Sequence, residues 1–214
     1  VPSEKTLVVN GDGMLEVSSS TTPLGVLVLG SMTVSGGKLT EKNTCTVGIY
    51  AFGFLSIENG SVLSVQNTGE GTTGIQGNVT IKDSSATISN TNTSTSECIG
   101  IYPDFLTIDN STVIINSGTN SAGILVRNAD VSILLKNNAH VIAAVQESGI
   151  FFGTNSGSLT VDGSTLELQS GEGLALGFPD EVSFSGKNGG TVKLTQGARI
   201  SEVNGKMKDQ GNIL

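Results

Sequence analysis

A chain of 214 residues with 29 Gly, no Trp, only 14% charged residues and a net charge of −8 is too apolar to be disordered, and its many β-branched residues suit an all-β protein. The 19 Asp plus Glu outnumber 11 Lys plus Arg, and no basic cluster occurs, which argues against a nucleic-acid partner. No segment approaches the roughly 20 apolar residues of a membrane span, which argues against membrane insertion, and glycine has no three-residue period, which excludes collagen.

Read from the start, Val1-Pro2-Ser3-Glu4-Lys5 has neither the charged nor the apolar region of a signal peptide. If the protein is secreted, that peptide has been removed. An incomplete first coil over Leu7 to Leu24 then leads into a repeat. Glycine followed by an apolar residue recurs at Gly25-Val26, Gly48-Ile49, Gly74-Ile75, Gly100-Ile101, Gly123-Ile124, Gly149-Ile150 and Gly173-Leu174, at intervals of 23 to 26 residues. An apolar-hydroxyl-apolar triplet keeps step with it: Met32-Thr33-Val34, Leu55-Ser56-Ile57, Val79-Thr80-Ile81, Leu106-Thr107-Ile108, Val131-Ser132-Ile133, Leu159-Thr160-Val161 and Val182-Ser183-Phe184. Strand side chains alternate between faces, so each apolar pair points inward and the hydroxyls form an outward column.

A third strand follows at Leu63-Ser64-Val65, Ala86-Thr87-Ile88, Val113-Ile114-Ile115, Val141-Ile142-Ala143, Leu166-Glu167-Leu168 and Val192-Lys193-Leu194. Glu58-Asn59-Gly60, Lys82-Asp83-Ser84, Asp109-Asn110 and Asp162-Gly163 separate the second strand from the third. Such residues accept left-handed backbone and suit tight corners. Three short strands per coil with corners between them predict an all-β fold: a single-stranded, right-handed parallel β-helix with three sheets and about two dozen residues per coil. One domain over 1–214 is expected; its weakly capped ends imply either termini that fold over them or one module of a longer protein. No window shows helical periodicity.

The chemistry-bearing residues are sparse. Glycoside hydrolysis needs two carboxylates across the scissile bond, yet the acidic residues are scattered singly over turns. The one Asp-Glu pair, Asp180-Glu181, reads as a solvated turn. Arg127 lies near Asp130, and His140, the only histidine, points outward by alternation. A nucleophile–base dyad has little material here, so no catalytic residue is assigned. Calcium needs six to eight oxygens. Asp83 and Asp109 on consecutive coils, with Asn59 and Asn110 beside them, read either as a calcium corner or as an uncharged Asn/Asp ladder. No other cofactor is expected. Cys45 and Cys98 lie at one corner but two coils apart, about 10 Å, too far for the roughly 7 Å a disulfide allows.

Aromatic placement is the most informative feature. Of nine aromatics, eight lie between the glycine landmark and the triplet: Tyr50, Phe52, Phe54, Tyr102, Phe105, Phe151, Phe152 and Phe178. If the isoleucines of the landmark face inward, the following residues face outward, giving a column of Leu27, Tyr50, Gln76, Tyr102, Leu125, Phe151 and Ala175. Phe152 falls inward. The candidate ligand-binding residues are therefore Tyr50, Tyr102, Phe151, Leu27 and Leu125. Contiguous exposed apolar patches mark interaction surfaces, and flat rings offer stacking faces for sugars. The same stripe would also serve homo-oligomerisation or be covered by another segment.

The phrases Gly48-Ile49, Leu55-Ser56-Ile57 and Ser61-Val62-Leu63-Ser64-Val65, with Gly100-Ile101, Leu106-Thr107-Ile108 and Ser111-Thr112-Val113, resemble the coils of pectin-lyase-like β-helices on the surface of bacteria. They look most like a carbohydrate-binding family whose members hold polygalacturonate through calcium. The resemblance implies a secreted or cell-surface, non-catalytic module whose partner is a glycan or a host or cell-surface polysaccharide, binding sugar or serving adhesion. A polysaccharide lyase or hydrolase and a structural spacer are the alternatives.

Overall fold

The computed structural model describes residues 1–20, 22–44, 46–91, 96–153, 156–170, 174–177, 183–195, 199–200 and 212–213. These residues wind as a right-handed parallel β-helix with no α-helix among them. Third strands form one nine-stranded parallel sheet running from Met14–Ser19 through Lys38–Asn43, Val62–Asn67, Ser85–Asn90, Thr112–Ser117, His140–Val145, Thr165–Ser170 and Thr191–Thr195 to Asn212–Ile213. First and second strands, expected as two further sheets, share a single thirteen-stranded sheet.

The merger has a local cause. In three successive coils one long strand runs through the corner: Val47–Glu58, Thr73–Lys82 and Cys98–Asp109. The bend is absorbed by register shifts at Ala51/Phe54 and Pro103/Phe105, the extra residues of β-bulges that kink a strand without ending it. In later coils the corner opens into a loop, and Ser121–Val126 is separate from Ser132–Lys136.

Registration of the landmarks is mostly as the sequence predicts. Val26, Ile49, Ile75, Ile101, Ile124 and Ile150 stack as one interior column, all but Val26 fully buried. The third strands stack as expected, Leu63 on Ala86, Val113, Val141, Leu166 and Val192. Three positions differ. Ile133 pairs with Leu106 and Leu159, so Leu134, not Ser132, joins the outward column. Likewise Phe184 pairs with Leu159 and Ser185 with Thr160. Val131-Ser132-Ile133 and Ile133-Leu134-Leu135 both alternate correctly, and Val131, Ile133 and Leu135 are all buried; the pairing of Leu135 with Ile108 and Val161 selects the second. Finally Ile150 pairs with Leu176 rather than Leu174, so Gly177, not Ala175, lies beside Phe151.

Glycine recurs beside this isoleucine column because the two sheets converge there. A β-carbon at Gly100 would meet the Ile115 side chain and lie 2.6 Å from the Gly123 carbonyl oxygen. At Gly48 it would lie 2.7 Å from the Gly74 carbonyl oxygen. Cys98 is buried and free, its thiol 3.7 Å from the Ser96 carbonyl oxygen; Cys45 lies outside the described residues.

Two polar columns hold the coils together from within. Asn43, Asn67 and Asn90 stack in register and are buried. Asn67 Nδ2 donates to the Thr73 carbonyl at 3.0 Å and Asn90 Nδ2 to the Ile99 carbonyl at 2.7 Å. Connections of different length, six and nine residues from the asparagine, are thus closed by one device. At the next corner the hydroxyl of Ser84 accepts the N–H of Ser61 at 3.1 Å, and that of Ser111 the N–H of Ser84 at 3.0 Å. Glu41 is fully buried in the column of Val17 and Val65.

Candidate functional site

The bulged corner carries the largest exposed rings. Phe52 and Phe54 are 65% and 63% exposed, and Phe105 is 40% exposed. Tyr50 meets Phe52 edge to face with centroids 6.4 Å apart, a favourable arrangement for aromatic quadrupoles. The bulge explains this exposure. Phe52 and Gly53 are the residues added between Ala51 and Phe54, so the ring is pushed outside the regular stack instead of into the core.

Two neighbouring columns repeat the same pattern at this corner. Tyr50 pairs with Gln76, and Gln76 with Tyr102. Phe54 pairs with Asn78, and Asn78 with Phe105. Ring, amide and ring follow one another on three consecutive coils in both columns. Both amide residues are half-buried, and Asn78 Nδ2 donates to the Phe52 carbonyl at 3.2 Å, tying the bulge to the next coil. The Tyr102 hydroxyl lies 3.5 Å from Asn128 Oδ1, and Asn128 Nδ2 donates to Asp104 at 2.6 Å.

The candidate residues divide between wall and floor. Leu27 and Phe151 are each 37% exposed, whereas Tyr50 and Tyr102 are half-buried. Leu125 is only 2% exposed: it forms a small cluster with Ile99 and Ala122, against which Tyr102 packs. The stripe is therefore not open along its length, because its side chains cover one another. Gly177 beneath Phe151 gives that ring a place to lie, since a β-carbon there would meet Phe151. Phe152 is fully buried, as alternation predicts. Phe52 and Phe54 were legible as corner aromatics, but not as the most exposed ones, because period-two alternation breaks at a bulge. Phe178 lies outside the described residues.

The opposite edge of the second-strand stack is a charge ladder. Lys82, Asp109, Lys136, Asp162 and Lys187 pair in register, alternating in sign at every coil. Lys136 Nζ lies 3.2 Å from Asp109 Oδ2, and Asn137 Nδ2 donates to Asp109 Oδ1 at 2.8 Å. Asn110 Nδ2 donates to Asp83 at 2.6 Å and Asn188 Nδ2 to Asp162 at 2.5 Å. The corner residues Asn59, Asp83, Asn110, Asn137 and Asn188 all have left-handed backbone, with φ between 46° and 58°. Burial is the strongest single influence on the Asp109 carboxyl and pushes it up. The Asn137 hydrogen bond, the Lys136 bond and charge, and the Lys82 charge together outweigh it, holding the group below its ordinary value.

These carboxylates do not fit a calcium site. Asp83 and Asp109 are not equivalent rungs, since Asp109 pairs with Lys82; the Asn110 amide already engages Asp83, and the Asn137 amide and Lys136 ammonium engage Asp109. Among the described residues no three His, Cys, Asp or Glu side chains gather as metal ligands. Arg127 forms a two-pronged contact with Glu97 at 2.7 and 2.9 Å, and His140 Nε2 faces Glu167 at 3.8 Å. Asp180 and Glu181 lie outside the described residues. No protein-family model, curated protein or solved structure matches the chain.

Proposed function

We propose that the chain is a non-catalytic extracellular module of a bacterial surface protein that binds carbohydrate, and so serves adhesion. The carrying observation is the aromatic ledge at the bulged corner, where Phe52 and Phe54 stand nearly two-thirds exposed beside half-buried amides. Placing such rings in water forgoes roughly 1.5–3 kcal/mol each that full burial would bring, and a sugar face supplies that cover while its hydroxyls meet the amides. The resemblance of the coils to pectin-lyase-like surface β-helices agrees with an extracellular setting. Calcium dependence forms no part of the proposal, for the corner carboxylates are committed to lysine and asparagine.

A glycan array probed with the native chain and with the Phe52→Ser/Phe54→Ser double variant tests this reading. Binding to at least one glycan, lost in the double variant with an unchanged circular dichroism spectrum, is expected. If no glycan is retained and sedimentation shows a dimer that the same substitutions dissociate, the ledge is a homo-oligomer contact. Release of unsaturated sugars from a polysaccharide panel would return the lyase alternative.

A further inference from the structure

The ledge has a direction and a period as well as exposure. Its two ring–amide–ring columns, Tyr50–Gln76–Tyr102 and Phe54–Asn78–Phe105, both run along the solenoid axis. Rings recur on every second coil, about 10 Å apart, with an amide halfway between. Resting on the carbohydrate reading above, we propose that the ligand is a linear, uncharged glycan of two-fold ribbon shape, as β-1,4 linkage produces, lying parallel to the solenoid axis over the coils that carry these two columns.

Three features lead to that class. In a two-fold ribbon each sugar is turned over relative to the last, so the same face returns at every second residue. Such a chain brings the same face to each ring, while equatorial hydroxyls of the intervening sugar reach each amide from the ribbon's edge, matching a platform that repeats every second coil. A helical glycan changes orientation gradually and would keep this register for only one ring. Secondly, the groups between the rings are Gln76 and Asn78, which hydrogen-bond hydroxyls in either sense and carry no charge to neutralise a uronate. Thirdly, Asp104 is exposed at the edge of the ledge and the nearby Arg127 guanidinium is held by Glu97. An acidic chain would meet a carboxylate there, on a protein of net charge −8.

Titration calorimetry with cellohexaose, xylohexaose and chitohexaose, beside maltohexaose and hexagalacturonate, tests the class. At least one of the first three is expected to bind, with maltohexaose and hexagalacturonate at least about tenfold weaker. Gln76→Ala and Phe54→Ala should each weaken that binding about tenfold with melting temperatures close to that of the native chain. Disaccharides should bind much more weakly than hexasaccharides, because they span one ring. Preferential binding of hexagalacturonate or maltohexaose would overturn the class while leaving the carbohydrate reading standing. Binding of a β-1,4 hexasaccharide that is indifferent to both substitutions would overturn the placement. Silence across all five probes and a glycan array would remove both.

Discussion

Asn137 donates its amide to Asp109 one coil away at 2.8 Å, while Lys136, paired with Asp109 in register, closes to 3.2 Å on the same carboxylate. The ionised form of Asp109 is thereby favoured in the folded chain. A carboxyl held below its ordinary value of 3.8 contributes stability that is present above that value and is lost as pH falls through the folded one. The Asp109→Asn variant should be less stable than the native chain at neutral pH by roughly 1 kcal/mol. The difference should shrink as the pH falls below the ordinary value of 3.8 and through the lower folded one. Urea denaturation across a series of pH values from neutral into acid measures it. A difference that stays constant with pH would show that the carboxylate charge is not what the ladder uses.

The glycine beside each landmark isoleucine makes a second, sharper expectation. Gly100→Ala places a methyl group 2.6 Å from the Gly123 carbonyl oxygen and against Ile115, where two sheets meet and neither can retreat. Overpacking of this kind costs about 1–3 kcal/mol. Gly13, whose β-carbon would meet only the Asn10 carbonyl oxygen at 3.5 Å, is the control. Gly13→Ala should be neutral or slightly stabilising, by about 0.4–1 kcal/mol. Thermal melts of the two variants should separate clearly. Equal melting temperatures would mean the sheets are not closely apposed at the glycine column.

The solenoid was legible because its signals are redundant. Glycine, isoleucine and corner residues each repeat with the coil, so Ile49, Ile75 and Ile101 fall in register from spacing alone. Where only alternation was available the reading slipped by two, as at Ile133 and Leu176, because period two looks the same after a two-residue shift. The third-strand asparagines were also visible, as Val65-Gln66-Asn67 and Ile88-Ser89-Asn90. Their burial was not, because a polar residue continuing an alternating strand looks like its solvent end. Exposure of the aromatic corner depends on bulges at Ala51 and Pro103, and Leu125 is covered in part by Ile99 and Tyr102 of the preceding coil; neither is encoded in a single coil.

Asn90 shows what such an internal amide does. It is 1% exposed and its Nδ2 is bonded to the Ile99 carbonyl, closing the connection between the third strand and the next coil. Asn90→Ala leaves that buried carbonyl without its donor and opens a cavity, at a cost of about 1–3 kcal/mol. Asn90→Asp should cost at least as much, since an ionised carboxylate has no proton to donate. Denaturation midpoints of both variants check this. If Asn90→Ala is neutral, the amide is filler and the connection is held by its backbone alone.

Phe54 and Tyr102 belong to the same ledge but should respond oppositely to removal. Alternation alone makes Tyr102 an outward ring whose replacement leaves stability untouched. Tyr102 instead lies half-buried against Ile99, Ala122 and Leu125, and it is part of the cover of a small apolar cluster. Tyr102→Ser uncovers that cluster. The loss should be roughly 1–2 kcal/mol, below the range for removing a fully buried aromatic ring. Phe54 is 63% exposed, so Phe54→Ser should stay within about 0.5 kcal/mol, as for other surface changes. Urea denaturation at two protein concentrations distinguishes the cases. A large loss for Phe54→Ser that grows with protein concentration would show a second copy of the chain covering the ring. An unchanged midpoint for Tyr102→Ser would show that Ile99 and Leu125 are sheltered without it.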